Sequence, residues 1–128
     1  MGLLDMFKKD TSDKPEKKAL PWIALTDVKQ LAEIKETSKS KTQIIFKHST
    51  RCGISKMVIN QFQSSYVFED SVDAYYLDLL NYRPISAEIA AFFQVMHQSP
   101  QLLVIKDGVV VHHASHHDIH AANIQQFV

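Results

Sequence analysis

QIIFKHSTRCGISKMVINQF, Gln43 to Phe62, is the stretch whose reading decides the fold. Ile44, Ile45 and Phe46 make an apolar run of strand length, and Lys47, His48, Ser49, Thr50 and Arg51 break it with polar and cationic side chains. After Cys52 and Gly53, apolar residues recur at Ile54, Met57, Val58 and Phe62, with the period of a helix that buries one face. The pattern predicts a short buried strand, a polar turn and an amphipathic helix. Cys52 then lies at or next to the first helical residue, at the carboxyl end of a strand. Ligands of open α/β sheets bind at that end. The thiol is therefore a candidate nucleophile.

The flanking sequence repeats this alternation. Upstream, Trp22 to Leu25 reads as a first strand, and Thr26 and Asp27 supply N-cap side chains for a helix over about 27–38, with Val28, Leu31, Ala32 and Ile34 inward. Downstream, AYYLDLL (Ala74 to Leu80) is the near-continuous apolar run of a strand covered on both faces. Arg83-Pro84 marks a turn, and Ile85, Ile89, Phe92, Phe93 and Met96 form another helical stripe. Gln101 to Ile105 and Val109 to His112 flank Asp107-Gly108, a strong hairpin signal. The tail from Ser115 to Val128 has room for a last helix, with Ile119, Ile124 and Phe127 inward. The order is β-α-β-α-β-α-β-β-α, an α/β fold with a central mixed sheet flanked by helices. Parallel crossovers join the early strands, and the last two strands are antiparallel.

Composition limits what such a domain can be. The chain has 128 residues, 45% apolar and 22% charged, enough for one domain with a proper core. A single cysteine excludes an internal disulfide and any cysteine-rich zinc or iron–sulfur site held by this chain alone. No run approaches the roughly 20 apolar residues of a membrane span, and MGLLDMF at the start is too short and acidic for a signal peptide. The expected location is the cytoplasm, with no membrane partner. Residues 8–18, KKDTSDKPEKK, are highly charged and nearly free of apolar side chains, so 1–20 reads as a flexible lead and 21–128 as the domain. Net charge is zero but uneven: residues 1–56 hold twelve Lys/Arg against seven Asp/Glu, and residues 57–128 hold two against seven. Most of these lysines belong to solvated faces. The asymmetry puts Cys52 on the positive side, which would attract anionic thiols, and is too weak to imply nucleic acid.

The element order, with a cysteine opening the second helix and Ser-Pro before the fourth strand, resembles the thioredoxin fold. FKHSTRCGIS at 46–55, YRPIS at 82–86, SPQLLVIKDG at 99–108 and HASH at 113–116 resemble, more narrowly, the YtxJ-type family of monothiol bacilliredoxins. The likeness covers about residues 22–120. Family members usually carry proline after the cysteine, where this chain has Gly53. The resemblance implies a thioredoxin-like protein that exchanges disulfides with bacillithiol or a similar low-molecular-weight thiol, used as a co-substrate with no bound cofactor. It implies S-thiolated proteins as partners, and a recycling reductase. Cys52 takes the catalytic role. Thr50, Arg51, Gly53, Ile54, Ser55, Ser99 and Pro100 are the expected thiol- and substrate-binding residues. A cis Ser99–Pro100 bond would face the cysteine, and Ser99 would offer its backbone to an extended cysteinyl ligand.

The residues themselves carry part of this chemistry. A lone cysteine is commonly an inert, buried small hydrophobe. A helix N-terminus, with unpaired N–H groups and partial positive charge, instead favours thiolate over thiol; Arg51 and His48 are near enough to assist. Ser55 stands where a C-x-x-C oxidoreductase carries its second cysteine, so the internal resolving step is absent and an outside thiol must finish the cycle. Its plainer role is a local backbone hydrogen bond in the first helical turn. His116 and His120, four apart, would share a helix face, but His112 and His113 point oppositely in a strand and no carboxylate or thiol joins them, so no metal is assigned. Three functions stay open: a monothiol disulfide oxidoreductase, a thioredoxin-fold adaptor with an incidental cysteine, and a thiol peroxidase.

Overall fold

The computed structural model describes residues 20–128, so the lead expected over residues 1–19 lies outside the described residues. Five strands form one sheet in the order β1-β3-β2-β4-β5. They are β1 (Ile23–Ala24), β2 (Thr42–His48), β3 (Val72–Asp78), β4 (Gln101–Lys106) and β5 (Val109–Ser115). β1, β3 and β2 run parallel, while β4 is antiparallel to β2 and β5 to β4. Helices α1 (Lys29–Thr37), α2 (Gly53–Ser64) and α3 (Arg83–Phe93) lie between strands in the chain. Among the described residues, no helix is long and apolar enough to cross a membrane.

β2 is the middle strand and is buried along its whole length, which is why Ile44, Ile45 and Phe46 at its centre are apolar in succession rather than alternating. Alternate side chains serve two cores. Ile44 and Phe46 pack with Val58 and Phe62 of α2 and with Leu102, Val104, Ile119 and Ile124. Ile45 faces the other way, among Leu31 and Ile34 of α1 and Ile85, Ile89 and Phe93 of α3. Leu20, the last residue of the expected lead, is buried in the first core.

Local chemistry accounts for the element ends. Asp27 Oδ1 accepts the Lys29 N–H at 2.9 Å, and Gln30 Oε1 accepts the Thr26 and Asp27 N–H groups. This reciprocal arrangement works as a capping box, and α1 starts two residues later than the cap residues alone suggest. Asp107 and Gly108 both have positive φ, 55° and 84°, as a two-residue hairpin turn matching strand twist requires. That turn docks on the end of α1, where Ser38 Oγ accepts the Gly108 N–H at 2.8 Å.

Several sequence expectations need correction; among the residues expected inward, Val28, Ala32 and Phe92 are exposed. First, the stripe on α2 is rotated: Ser55, Val58, Ile59 and Phe62 are buried, whereas Ile54 and Met57 are 45% and 44% exposed. Second, Arg83 and Pro84 are not a turn but the first residues of α3, where proline's fixed φ and missing N–H are harmless. That helix ends at Gln94 in the left-handed conformation, so Met96 is 80% exposed. Third, β3 starts at Val72 and ends at Asp78, leaving Leu79 and Leu80 in the following turn, and β5 runs on to Ser115 because its ladder with β4 continues past the apolar residues. Fourth, the tail forms two 3₁₀ segments, His116–Asp118 and Ala121–Phe127, not an α-helix. His116 has φ 54°, and Ile119 and His120 are extended, so His116 and His120 do not share a helical face. The expected inward residues Ile119 and Ile124 are nevertheless buried, with Phe127 packed against them.

Candidate active site

β2 delivers its last residue, His48, to the edge of the sheet, and the chain turns through Ser49, Thr50 and Arg51 to Cys52. Cys52 is the N-cap of α2, with extended backbone (φ −101°, ψ 123°) and a half-buried thiol. Its carbonyl accepts the Lys56 N–H at 3.0 Å, and its N–H donates to the Ser49 carbonyl at 3.2 Å. The cysteine is thus held by backbone bonds on both sides, with its side chain left to react. Thr50, Arg51, Gly53 and Ile54 surround it and are exposed.

Ser55 behaves differently from its neighbours. It is fully buried, its Oγ accepts the Ser49 N–H at 3.1 Å, and it lies 2.7 Å from His48 Nδ1. Burial holds His48 below its ordinary histidine value, Lys56 adds to this and Asp78 opposes it, so the ring is neutral near pH 7. The Ser55 oxygen accepts from Ser49 and shares a hydrogen bond with His48 Nδ1, the hydroxyl donating when that nitrogen is bare and accepting when it carries the ring proton. The first-turn serine therefore makes no bond back into its own helix; it pins the reactive turn to the end of β2.

Pro100 reaches the same place from β4. Gln101 pairs with Lys47 across the antiparallel ladder, so Pro100 sits level with His48 at the same sheet edge. The Ser99–Pro100 bond is cis. The Pro100 carbonyl accepts the His116 N–H at 3.1 Å, which ties the first 3₁₀ segment to the site. Thr50, Arg51, Cys52, Gly53, Ile54 and Ser55 are thus one unit, and Ser99 and Pro100 join it through strand register.

Sequence reasoning missed a polar cluster under this edge. Lys47, read only as a break in the apolar run, is fully buried; its Nζ lies 3.3 Å from His97 Nδ1 and 3.5 Å from the Ser86 carbonyl. Burial lowers its value to about 8. Ser86 Oγ is 3.1 Å from the same His97 nitrogen, and burial, Lys47 and Arg83 hold that histidine low and neutral. Gln101, also buried, donates through Nε2 to the Met96 carbonyl at 3.0 Å. These bonds anchor the segment that carries the cis proline. The available signal was that Lys47 and Gln101 each directly adjoin the apolar core of a buried strand, Ile44 to Phe46 and Leu102 to Ile105. Among the described residues, no three of His, Cys, Asp and Glu gather as a metal site would need.

A cysteine at the mouth of a helix, a cis proline on the neighbouring strand and this strand order define a thioredoxin-fold thiol redox protein. The chain belongs to the monothiol bacilliredoxin BrxC family, whose sequence model matches residues 23–124. Among solved structures, a thioredoxin-fold protein described as a candidate oxidoreductase is 32% identical, covers 81% of this chain and 90% of its own, and has a TM-score of 0.70. Thioredoxin from Malassezia sympodialis is 19% identical over 90% of this chain and 95% of its own, with a TM-score of 0.64. Thioredoxin from Trypanosoma brucei brucei is 17% identical over 89% and 93%, with a TM-score of 0.63. The last two share the fold with this chain.

Proposed function

We propose that the protein removes a low-molecular-weight thiol, bacillithiol or a close analogue, from protein mixed disulfides by a monothiol mechanism at Cys52. The observation that carries this reading is a lone half-buried cysteine at a helix N-terminus, with the buried hydroxyl of Ser55 where a resolving thiol would stand. Family membership supports bacillithiol as the small thiol. A cytoplasmic setting, which keeps thiols reduced, suits such a protein.

The Cys52 thiolate attacks the small-thiol sulfur of the mixed disulfide. The old S–S bond breaks, the protein cysteine leaves as a thiolate and takes a proton, and Cys52 becomes S-thiolated. A second small thiolate, or a reductase, attacks that adduct and Cys52 departs as thiolate, so one disulfide is exchanged at each step. Thr50, Arg51, Gly53 and Ile54 would border the incoming thiol, and the backbone of Ser99 beside Pro100 would align it.

The test is to mix reduced protein with an S-bacillithiolated protein and follow both by intact mass. One small-thiol adduct per molecule is expected on the wild type and none on Cys52→Ser. Absence of an adduct from bacillithiol or any other common small-thiol disulfide would overturn the redox reading in favour of a binding module.

A further inference from the structure

Because β2 and β3 are parallel and His48 pairs with Asp78, the loops that follow them lie side by side, tied by the Leu79 N–H donating to the His48 carbonyl at 2.9 Å. Between the loops is a shallow cleft lined by Thr50, Arg51, Leu80, Asn81 and Arg83. Two of its lining residues, Thr50 and Arg51, immediately precede Cys52 in the turn. Arg51 and Arg83 are both exposed, and neither has a carboxylate within ion-pairing distance among the described residues. Asp78, at the end of β3 where the second loop begins, has one oxygen engaged by the Asn81 side-chain amide at 2.8 Å.

The local fold gives no reason for these two cations. Arg83 is the first residue of α3 and Arg51 immediately precedes the cap of α2. Both are the positive ends of helices, where a cation is disfavoured and an anion favoured. Burial first, and then the positive charge of Lys47 and Arg83, holds His97 below its ordinary value. Two unpaired guanidinium groups and a free hydroxyl around one small cleft form a fork for carboxylate oxygens.

We propose that this cleft is the specificity subsite of Cys52: Arg51 and Arg83 bind the carboxylates of the small thiol, so that the protein selects carboxylate-bearing thiols over neutral or cationic ones. The inference rests on the monothiol exchange proposed above. In each exchange the Cys52 thiolate forms a bond to one sulfur of the small disulfide, and the other sulfur leaves as thiolate; the arginines hold the carboxylate end and take no part in bond breaking.

Reduced protein is treated separately with 3,3′-dithiodipropionate, 2-hydroxyethyl disulfide and cystamine, and adduct formation on Cys52 is timed by intact mass. Each rate is divided by that of the same disulfide with an unstructured cysteine peptide, which removes intrinsic reactivity. The normalised rate for the anionic disulfide should exceed that for cystamine about tenfold at low ionic strength, and the gap should close in about 0.5 M salt. Arg51→Gln and Arg83→Gln should each reduce the anionic-to-neutral ratio about threefold. Lys106→Gln, at the far end of β4, should leave the ratio unchanged. Labelling by all three disulfides without charge preference, or a preference that survives Arg83→Gln, overturns the subsite and leaves the exchange reading standing. Labelling by none overturns both.

Discussion

Ser55 shows how one atom can take over the space of another and give it a different task. Where a dithiol enzyme would carry a second sulfur, this chain has a hydroxyl with a partner on each side, the Ser49 N–H and His48 Nδ1. Removing the oxygen leaves a buried ring nitrogen and a backbone N–H with nothing to replace it. Ser55→Ala should therefore destabilise the protein by about 1–2 kcal/mol, although it deletes a single atom from a helix and alanine is the better helix former. Chemical denaturation at pH 7 measures this. A neutral or stabilising result would mean that water or a shifted turn satisfies both partners.

At the scale of one element, α2 begins unusually openly. Gly53 is exposed, and a Cβ built on it meets no atom within 4 Å. Cys52 before it has φ −101° and ψ 123°, within the region allowed to a residue that precedes proline. Proline at the first helical position loses an N–H that has no helical partner and restricts the unfolded chain. Gly53→Pro should therefore stabilise the protein by about 0.4–1 kcal/mol and keep Cys52 labelling intact. A lower melting temperature would show that the turn needs a conformation closed to proline. The same helix carries Ile54 and Met57 on its exposed face, apolar side chains that contribute little to the core.

Across the whole molecule, stability should track pH through groups buried near the site. Lys47 falls from 10.5 in the open chain to about 8 when folded. Below pH 8 it is charged in both states, and the folded state carries the full desolvation penalty. Between about 8 and 10 the unfolded chain keeps a proton that the folded protein has lost, so stability rises with pH. Above about 10, Tyr66, Tyr75 and Tyr76, all raised by burial, reverse the trend, because the unfolded state ionises them first. On the acid side, His48 sits below its ordinary 6.5, so the unfolded chain takes a proton the folded one refuses and stability falls as pH drops through 6.5. Lys47→Met should remove the rise above pH 8 and add about 1–3 kcal/mol at pH 7, as apolar replacement of buried charge commonly does. Guanidinium unfolding at pH 5.5, 7 and 9.5 for both proteins checks this. An unchanged profile would mean that Lys47 keeps its charge fully compensated by Ser86 and His97.

Sequence by itself determined what depends on neighbours within a few residues. The apolar run Ile44 to Phe46, the cysteine opening a helix, the Asp107-Gly108 hairpin, a helix within about 27–38 and a helical stripe from Ile85 onward all follow from periodicity and turn chemistry, which act over one or two turns of chain. The turn that carries Cys52 was legible for the same reason, since Thr50 to Ser55 are contiguous. Only tertiary structure decided which face of α2 is buried, because one residue of rotation separates Ile54 and Met57 from Ser55 and Ile59, and packing against β2 makes that choice. It also decided that the tail is 3₁₀: Ile119, Ala121 and Ile124 are docked one by one into a core built by distant strands, without a helical stripe. The Lys47–Ser86–His97 cluster and the cleft between Arg51 and Arg83 were hidden for a similar reason. Lys47 is 39 and 50 residues from Ser86 and His97, Arg51 is likewise far from Arg83 in the chain, and only the pairing of β2 with β3 and β4 brings them to one end of the sheet.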